Sequence, residues 1–343
     1  MNQIREGLLM QEVDQRDREL LSALQGEIPV ASTPYAIIGQ QIEMSEKEVL
    51  KRAEKLKRAG ILRRISVVFN TRALGYQTCL VAARVREELV DRAASAINLH
   101  PGVFQNYRRN HDFSLWYTIS LPPDSALGIE RTVELLAADA ECETTRLFPT
   151  LRLFVPEGEH DDDVAPSPID AEEMEFVKVL QSELPLQTRP FDAIARRTGI
   201  SEDRFFEAVL RLRDRGQIRR IVATVQQRKT PFQTNAMTVW SVPEERVDEF
   251  ARGLVANPAV LRCFVRPTYP DWPYNVFATI HTRSVDECEA IVHDVAEATG
   301  ITETQTLFPT REYKNTRVAL FSGESADWEA ARLGARRADS AAS

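Results

Sequence analysis

Two segments of the chain are rich in aromatic and charged residues where an ordinary β-hairpin would alternate apolar and polar side chains. The first runs from Tyr107 to Tyr117 and reads YRRNHDFSLWY, and the second runs from Arg266 to Phe277 and reads RPTYPDWPYNVF. His111 is the only histidine in either segment. An imidazole can exchange a proton near neutral pH or ligate a metal ion, although a lone histidine is often only a hydrogen-bonded structural residue. The first segment therefore predicts acid–base or metal chemistry.

The chain contains an internal repeat, which determines where these segments lie. The sequence GILRRI at 60–65 recurs as GQIRRI at 216–221, an offset of 156 residues, and LFPT at 147–150 recurs at 307–310, an offset of 160. Two halves of similar length therefore share one architecture. The change of offset indicates small insertions in the second half.

Each half predicts three helices and a wing strand, followed by the element order β-α-β-β-α-β. The predicted fold class is α+β, a tandem repeat of a winged helix-turn-helix and a ferredoxin-like (βαββαβ) domain. The helices can cover only one face of each sheet, so we expect the two halves to pair face to face as an intrachain pseudo-dimer. A single strand over 144–154 is expected to close the first sheet. The predicted boundaries are 1–70 for the first winged helix-turn-helix, 76–155 for the first ferredoxin-like domain, 156–168 for an acidic, proline-rich linker, 169–228 for the second winged helix-turn-helix, 233–321 for the second ferredoxin-like domain, and 322–343 for a flexible tail or loose helix.

Composition excludes several classes of protein. The 43 Lys plus Arg residues against 51 Asp plus Glu give a net charge of −8, which argues against a protein that coats nucleic acid. Cys79, Cys142, Cys263 and Cys288 stand too far apart to indicate a zinc site or a disulfide framework. The sequence contains neither an apolar run long enough for a membrane helix nor a signal-type leader. We expect a cytoplasmic protein that makes no contact with a membrane.

The repeated modules resemble a known group of proteins. The pattern SxxxVxxRxxxLxxAGIL from Ser45 to Leu62 looks like the recognition helix of the leucine-responsive (AsnC/Lrp) regulators. The pattern YxRxHxFxLW in the first segment is similar to one subunit of the sirohaem decarboxylases, and RPTYPDWPYN in the second is similar to the other subunit. The likeness extends from about residue 14 to residue 320, so the chain resembles both subunits fused in tandem.

This resemblance implies a carboxy-lyase that removes CO2 from the C12 and C18 acetate groups on rings C and D of sirohaem. The product is 12,18-didecarboxysirohaem, an intermediate of the alternative haem route and of the route to the haem of denitrifying nitrite reductase. No cofactor is implied beyond the iron of the substrate, because the tetrapyrrole can itself accept electrons. A proton donor is required.

The resemblance also implies roles for individual residues. His111 is the candidate proton donor or axial ligand to the substrate iron, and these alternatives stay open. Arg109 and Asp271 complete the catalytic candidates, and Trp272 stands at the position equivalent to His111. Arginine suits a substrate with eight carboxylates, because its fork binds a carboxylate through two hydrogen bonds. The substrate-binding candidates are Tyr107, Arg108, Trp116, Arg146, Arg152, Arg266, Tyr269, Trp272, Tyr274, Asn275, Arg311 and Lys314.

Two other functions compete with decarboxylation. One is an AsnC/Lrp-type DNA-binding regulator, and the other is a haem sensor without catalysis. Acidic residues interleave with the basic ones on both candidate recognition helices, which is typical of a solvated helix face and makes DNA an unlikely partner. The expected assembly is an intrachain pseudo-heterodimer that binds sirohaem, with a homodimer of the whole chain as an open alternative.

Overall fold

A computed structural model of the chain describes residues 13–156, 164–225 and 234–342. The first twelve residues of the first predicted domain and 157–163 of the predicted linker lie outside the described residues. The chain divides into two compact units. One contains both helix-turn-helix modules, in Met1–Leu74 and Pro166–Arg228, and the other contains both ferredoxin-like domains, in Gly75–Ala165 and Lys229–Ser343.

The described elements of the first half follow the predicted order. They are α1 (Gln15–Gln25), α2 (Pro34–Gln41), α3 (Glu46–Arg58), β1 (Leu62–Phe69), β2 (Gln77–Arg84), α4 (Val90–Asn98), β3 (Val103–Arg109), β4 (Leu115–Leu121), α5 (Gly128–Asp139), β5 (Thr144–Pro149) and β6 (Arg152–Phe154).

The second half repeats this order and adds a final helix. Its described elements are α6 (Ala171–Leu180), α7 (Pro190–Thr198), α8 (Glu202–Asp214), β7 (Ile218–Val225), β8 (Thr234–Trp240), α9 (Val247–Val255), β9 (Val260–Val265), β10 (Val276–Thr282), α10 (Val285–Thr299), β11 (Thr304–Leu307), β12 (Pro309–Asn315) and α11 (Glu324–Ala342).

The candidate recognition helices begin where their capping residues predict. The Ser45 hydroxyl accepts a hydrogen bond from the Glu48 N–H at 3.2 Å and caps α3, and Ser201 does the same for α8. The wing differs from the expected one, because β1 pairs antiparallel with β7 of the other half. The two wing strands therefore form one shared sheet inside the helix-turn-helix unit.

Strand exchange is the main departure from the predicted ferredoxin-like domains. The expected strand over 144–154 is wrong, because it consists of two strands in different sheets. β5 closes the first sheet, of order β12-β3-β4-β2-β5, whereas β6 joins the second sheet, of order β11-β8-β10-β9-β6. Pro149 has no N–H to donate to a neighbouring strand, and the Leu151 N–H donates to the Val265 carbonyl at 2.9 Å. In return, β12 of the second half pairs with β3 of the first half.

Face-to-face pairing of the two sheets is confirmed. Each sheet buries one face under its own helices, and the opposite faces meet in a separate hydrophobic core. This shared core contains Phe113, Trp116, Phe148, Trp272 and Phe277, all with 1% exposure or less. The pseudo-dimer therefore places the two predicted hairpin segments against each other.

Of the two alternatives for the tail, the structure has a helix, α11, and this helix packs against the first half. Trp328 contacts the first helix-covered core, and its ring centroid lies 4.5 Å from that of His100. The buried carboxylate of Glu329 accepts hydrogen bonds from the Ser125 hydroxyl at 2.5 Å and the Ala126 N–H at 2.8 Å. Little in the sequence indicated this packing, because the contacts of α11 are long-range. Among the described residues, no helix is both long and apolar enough to cross a membrane.

Candidate active site

His111 lies in the hairpin between β3 and β4, and its orientation is set by the backbone. The imidazole Nδ1 accepts a hydrogen bond from the Phe113 backbone N–H at 2.9 Å. The backbone N–H of His111 donates to the Arg109 carbonyl at 2.9 Å. Burial lowers the pKa of the half-buried imidazole, and the nearby Arg84 lowers it further. The imidazole is therefore neutral near pH 7. Because Nδ1 is an acceptor, the proton of this neutral ring is on Nε2.

Residues from other strands complete the surroundings of His111. Gln305 of β11 forms a side-chain hydrogen bond with His111. The Arg84 guanidinium lies 4.7 Å from the centroid of the Phe113 ring and 3.9 Å from the Asp271 carboxylate. Neither Arg84 nor Gln305 is among the site residues predicted from the sequence. The only signal for Arg84 was a basic residue at the end of an otherwise largely apolar strand, and Gln305 had no signal.

Asp271 forms a bidentate ion pair with Arg146. Nε and Nη2 of Arg146 lie 2.9 and 3.0 Å from the two carboxylate oxygens. The Arg146 hydrogen bonds hold the pKa of Asp271 below its ordinary value. The carboxylate is therefore ionised at neutral pH, and this arrangement favours a positioning role for Asp271 over proton donation. The catalytic role of Asp271 stays a prediction.

Trp272 is the centre of the aromatic cluster between the sheets. Its ring centroid lies 5.3 Å from that of His111, 5.1 Å from that of Trp116 and 5.2 Å from that of Tyr274. The Trp272 Nε1 is buried and has no acceptor among the described residues. The Tyr269 hydroxyl donates to the Leu147 carbonyl at 2.7 Å. The structure thus brings five predicted aromatic and imidazole side chains together.

Arg109 and Arg266 occupy matching positions in the two halves. Arg109 donates to the Leu307 carbonyl at 2.6 Å, and Arg266 donates to the Phe148 carbonyl, so each contacts the other half. Burial lowers the pKa of each guanidinium to about 10. In both residues Nε is buried without an acceptor among the described residues. Each guanidinium therefore retains the capacity to donate to an anion.

The remaining predicted binding residues have partners elsewhere in the same unit. Arg311 contacts Asp91 at 2.7 Å, and Arg152 bridges Glu244 and Asp248. Their contacts do not bring them to His111, and substrate binding by them stays a prediction. The other contacts are Tyr107 with Glu312, Arg108 with Glu87, Lys314 with the Asn98 carbonyl, and Asn275 with the Val242 backbone.

Several basic residues of the helix-turn-helix unit form ion pairs within that unit. Arg52 of α3 contacts Asp14 and Asp17, each at 2.8 Å, and Lys57 contacts Glu183 at 2.6 Å. Arg215, which follows α8, contacts Glu173 at 2.8 Å. These charges are less available to phosphates than the sequence alone suggests.

Comparison with known proteins identifies the class. Residues 73–154 and 229–314 match the AsnC-like ligand binding domain, and residues 17–63 and 173–219 match the siroheme decarboxylase NirDL-like HTH domain. The fold and site thus define a protein of two fused AsnC-type halves.

Similar proteins identify the particular family. The siroheme decarboxylase of Hydrogenobacter thermophilus is 32% identical over 322 residues, covering 90% of this chain and 96% of that protein. The siroheme decarboxylase beta subunit of Methanosarcina barkeri is 36% identical over 44% of this chain and its own full length. A crystal structure of siroheme decarboxylase NirDL in complex with an iron-uroporphyrin III analogue covers 94% of this chain and 99% of that chain, with a TM-score of 0.81 and 31% identity. The chain belongs to the siroheme decarboxylase family, with both subunit types fused.

Proposed function

We propose that the chain is a carboxy-lyase that removes CO2 from the C12 and C18 acetate groups of sirohaem and forms 12,18-didecarboxysirohaem. The observation that carries this proposal is similarity to a siroheme decarboxylase over nearly the full length of both proteins. The crystal structure with an iron-uroporphyrin III analogue supports a tetrapyrrole as the substrate class.

The reaction needs a proton and no external oxidant or reductant. The bond between the acetate methylene and its carboxylate breaks, and CO2 leaves without the bonding electron pair. The conjugated macrocycle accepts that pair transiently, and one proton converts the methylene into a methyl group. We therefore propose that no organic cofactor is used beyond the iron-containing substrate itself.

The contacts of His111 favour a hydrogen-bonding role over iron ligation. A bond from Nε2 to iron requires the proton to be on Nδ1, where it would oppose the Phe113 N–H that now donates to Nδ1 at 2.9 Å. With Nε2 protonated, the neutral ring can donate a hydrogen bond to a substrate carboxylate. Proton donation by His111 needs the imidazolium form, which must take up a proton from water or another acid before each transfer, and this role stays a prediction.

Arginine side chains would supply the charge that an acidic protein needs to hold a polycarboxylate. Arg84 is near His111, and Arg109 and Arg266 each retain an unpartnered buried Nε within the described part of the chain. A charge-assisted bond to a carboxylate in this low-polarity environment is stronger than one in water.

The experiment compares two histidine variants. The wild-type chain is incubated anaerobically with sirohaem, as are the His111→Ala and His293→Ala variants. The mass of the extracted tetrapyrrole is then measured by mass spectrometry. His293 is an exposed residue of α10 and is the matched control. We expect loss of two CO2 with the wild type and His293→Ala, and no loss with a folded His111→Ala. Full turnover by His111→Ala would remove His111 from the mechanism.

The cytoplasmic location and the homodimer stay predictions.

A further inference from the structure

Each half of the ferredoxin-like unit extends its last strand onto the sheet of the other half. β6 lies along β9, and β12 lies along β3. Each extension carries an arginine that binds an aspartate in the first turn of a helix of the other half. Arg152 of β6 binds Asp248 of α9 at 2.5 Å, and Arg311 of β12 binds Asp91 of α4 at 2.7 Å. The two extensions are therefore structurally equivalent.

The first extension is weakly held. β6 has three residues, whereas β12 has seven. Pro156, two residues after β6, has no N–H with which to continue the pairing. The ion pairs of Arg152 with Glu244 and Asp248 are exposed, and exposed ion pairs contribute little to stability. Phe154 packs only partly buried against the second helix-covered core.

The second extension is fastened at several further points. The Lys314 ammonium donates to the Asn98 carbonyl at 3.0 Å, and the Thr316 N–H donates to the Phe104 carbonyl at 2.8 Å. Helix α11 then packs on the first half through Trp328. Within the described part of this unit, β6 is followed by no such helix.

The connection between β5 and β6 covers Arg266. The Arg266 side chain is 8% exposed, and its guanidinium donates to the carbonyl of Phe148 at the end of β5. The Leu151 N–H donates to the carbonyl of the residue before Arg266 at 2.9 Å. Pro149 and Thr150, between these two contacts, are exposed. Displacing this connection removes the carbonyl partner of Arg266 and uncovers the guanidinium.

The corresponding connection over Arg109 is held more firmly. The Arg109 guanidinium donates to the Leu307 carbonyl at 2.6 Å. The Phe308 N–H donates to Oδ1 of Asn110 at 2.7 Å, and the Asn110 N–H donates to the Phe308 carbonyl at 3.3 Å. The two sides of the pseudo-dimer therefore differ in how easily they open.

We infer that β6 and the connection from Phe148 to Leu151 form a strap, which opens from β9 to admit a carboxylate of the tetrapyrrole to Arg266 and then closes, while the β12 side stays fixed. This inference rests on the proposed function. A buried guanidinium cannot bind a carboxylate until its cover has moved. The part of that cover with the fewest contacts opens most often.

A reversible cross-link tests whether the strap must move. Phe154 of β6 lies directly opposite Cys263 of β9, and both side chains contact the same helix-covered core. Diamide can therefore oxidise the two thiols of Phe154→Cys to a disulfide, which thiol counting in denaturant confirms. We expect the oxidised variant to lose sirohaem binding, measured by visible absorbance, and to regain it after reduction with dithiothreitol. Binding by the oxidised variant at the wild-type rate would overturn the inference.

Two controls separate fixation of the strap from other effects. Phe154→Ser removes the ring without supplying a thiol, and it should bind sirohaem both with and without diamide treatment. The double variant Gln105→Cys/Asn315→Cys joins opposite residues of β3 and β12 and so fixes the other extension. It should bind at the wild-type rate when oxidised. Equal loss of binding in both cross-linked proteins, or in Phe154→Ser itself, would overturn the inference.

Hydrogen exchange of the wild-type chain provides a measurement that needs no substitution. Without tetrapyrrole, the amide hydrogens of residues 148–154 should exchange faster than those of residues 309–316, and bound sirohaem should slow the exchange of 148–154. Equal protection of the two segments in the free chain would overturn the inference. A wild type that binds sirohaem but releases no CO2 contradicts the proposed function instead, because binding and exchange alone decide whether the strap moves.

Discussion

Replacing Arg266 with methionine should leave the protein close to its present stability while weakening its binding of sirohaem. Burial lowers the pKa of this guanidinium from 12.5 to about 10. This corresponds to a cost of about 3 kcal/mol for the charged form in the folded protein. Methionine is uncharged and of similar length, so the substitution removes the cost of burying the charge.

The contacts of Arg266 offset the cost of burial. Its hydrogen bond to the Phe148 carbonyl contributes about 1.5–3 kcal/mol. The guanidinium carbon lies 4.6 Å from the Phe264 ring centroid and 5.6 Å from that of Phe277, and each cation–π contact contributes about 0.5–2 kcal/mol. A methionine thioether keeps favourable contact with both rings. We therefore expect the free energy of unfolding to change by less than about 2 kcal/mol, against about 3–5 kcal/mol for breaking an ordinary buried ion pair.

Binding should respond differently from stability. Loss of a charge-assisted bond to a substrate carboxylate costs about 1.5–3 kcal/mol, which raises Kd roughly ten- to a hundredfold. The assay is an anaerobic titration with sirohaem followed by visible absorbance, together with urea unfolding of the same samples. Arg92→Met, which removes an exposed guanidinium paired with Glu141, is the matched control and should change neither quantity. Unchanged affinity in Arg266→Met would refute the carboxylate contact, and a loss of stability above about 3 kcal/mol would refute the energy balance.

Three further predictions concern other parts of the molecule. Glu329→Gln should lower the free energy of unfolding by about 1–3 kcal/mol, because one carboxylate oxygen becomes an NH2 group and the charge-assisted hydrogen bonds become weaker neutral ones; an unchanged thermal midpoint would contradict this. Desolvation lowers the pKa of the buried His100 from 6.5 to about 4, so between these pH values the folded state binds fewer protons than the unfolded state. The free energy of unfolding should therefore fall by up to about 3 kcal/mol as the pH drops from about 6.5 towards 4. Urea unfolding at several pH values checks this, and His100→Gln should flatten the profile; an equal slope in both proteins would contradict it. Because Arg52, Lys57 and Arg215 are paired with acidic residues, we expect the chain not to bind duplex DNA at moderate salt. Tight, salt-sensitive binding in a gel-shift assay would contradict this.

The fold was largely predictable because the repeat and local patterns specify the elements. Ser45 and Ser201 mark helix starts, and the β-α-β-β-α-β order follows from alternating periodicities. The exchange of β6 and β12 was not predictable, because a strand pattern gives no information about which neighbouring sheet it will join. The same limit hid the packing of α11, because the partners of its buried Glu329 lie more than two hundred residues earlier in the chain.

The candidate site was predictable in its hairpins and not in its cross-half contacts. His111 and Trp272 stood out by residue type within unusual segments, and the structure brings their rings within 5.3 Å. Gln305 of β11 contacts His111 of the other half, and the repeat gives no indication of this contact. The partners of the arginine side chains were the least predictable part of the site. Arg146 binds the Asp271 carboxylate of the other half, and Arg266 donates to the Phe148 carbonyl of the other half.

The most direct test of the central claim is an anaerobic reaction of the full chain with sirohaem in D2O, followed by mass spectrometry of the extracted tetrapyrrole. Decarboxylation with protonation of each methylene predicts loss of two CO2 and one new carbon-bound deuterium in each of the two resulting methyl groups. A tetrapyrrole that stays bound with its mass unchanged would contradict decarboxylation and would indicate a binding protein instead.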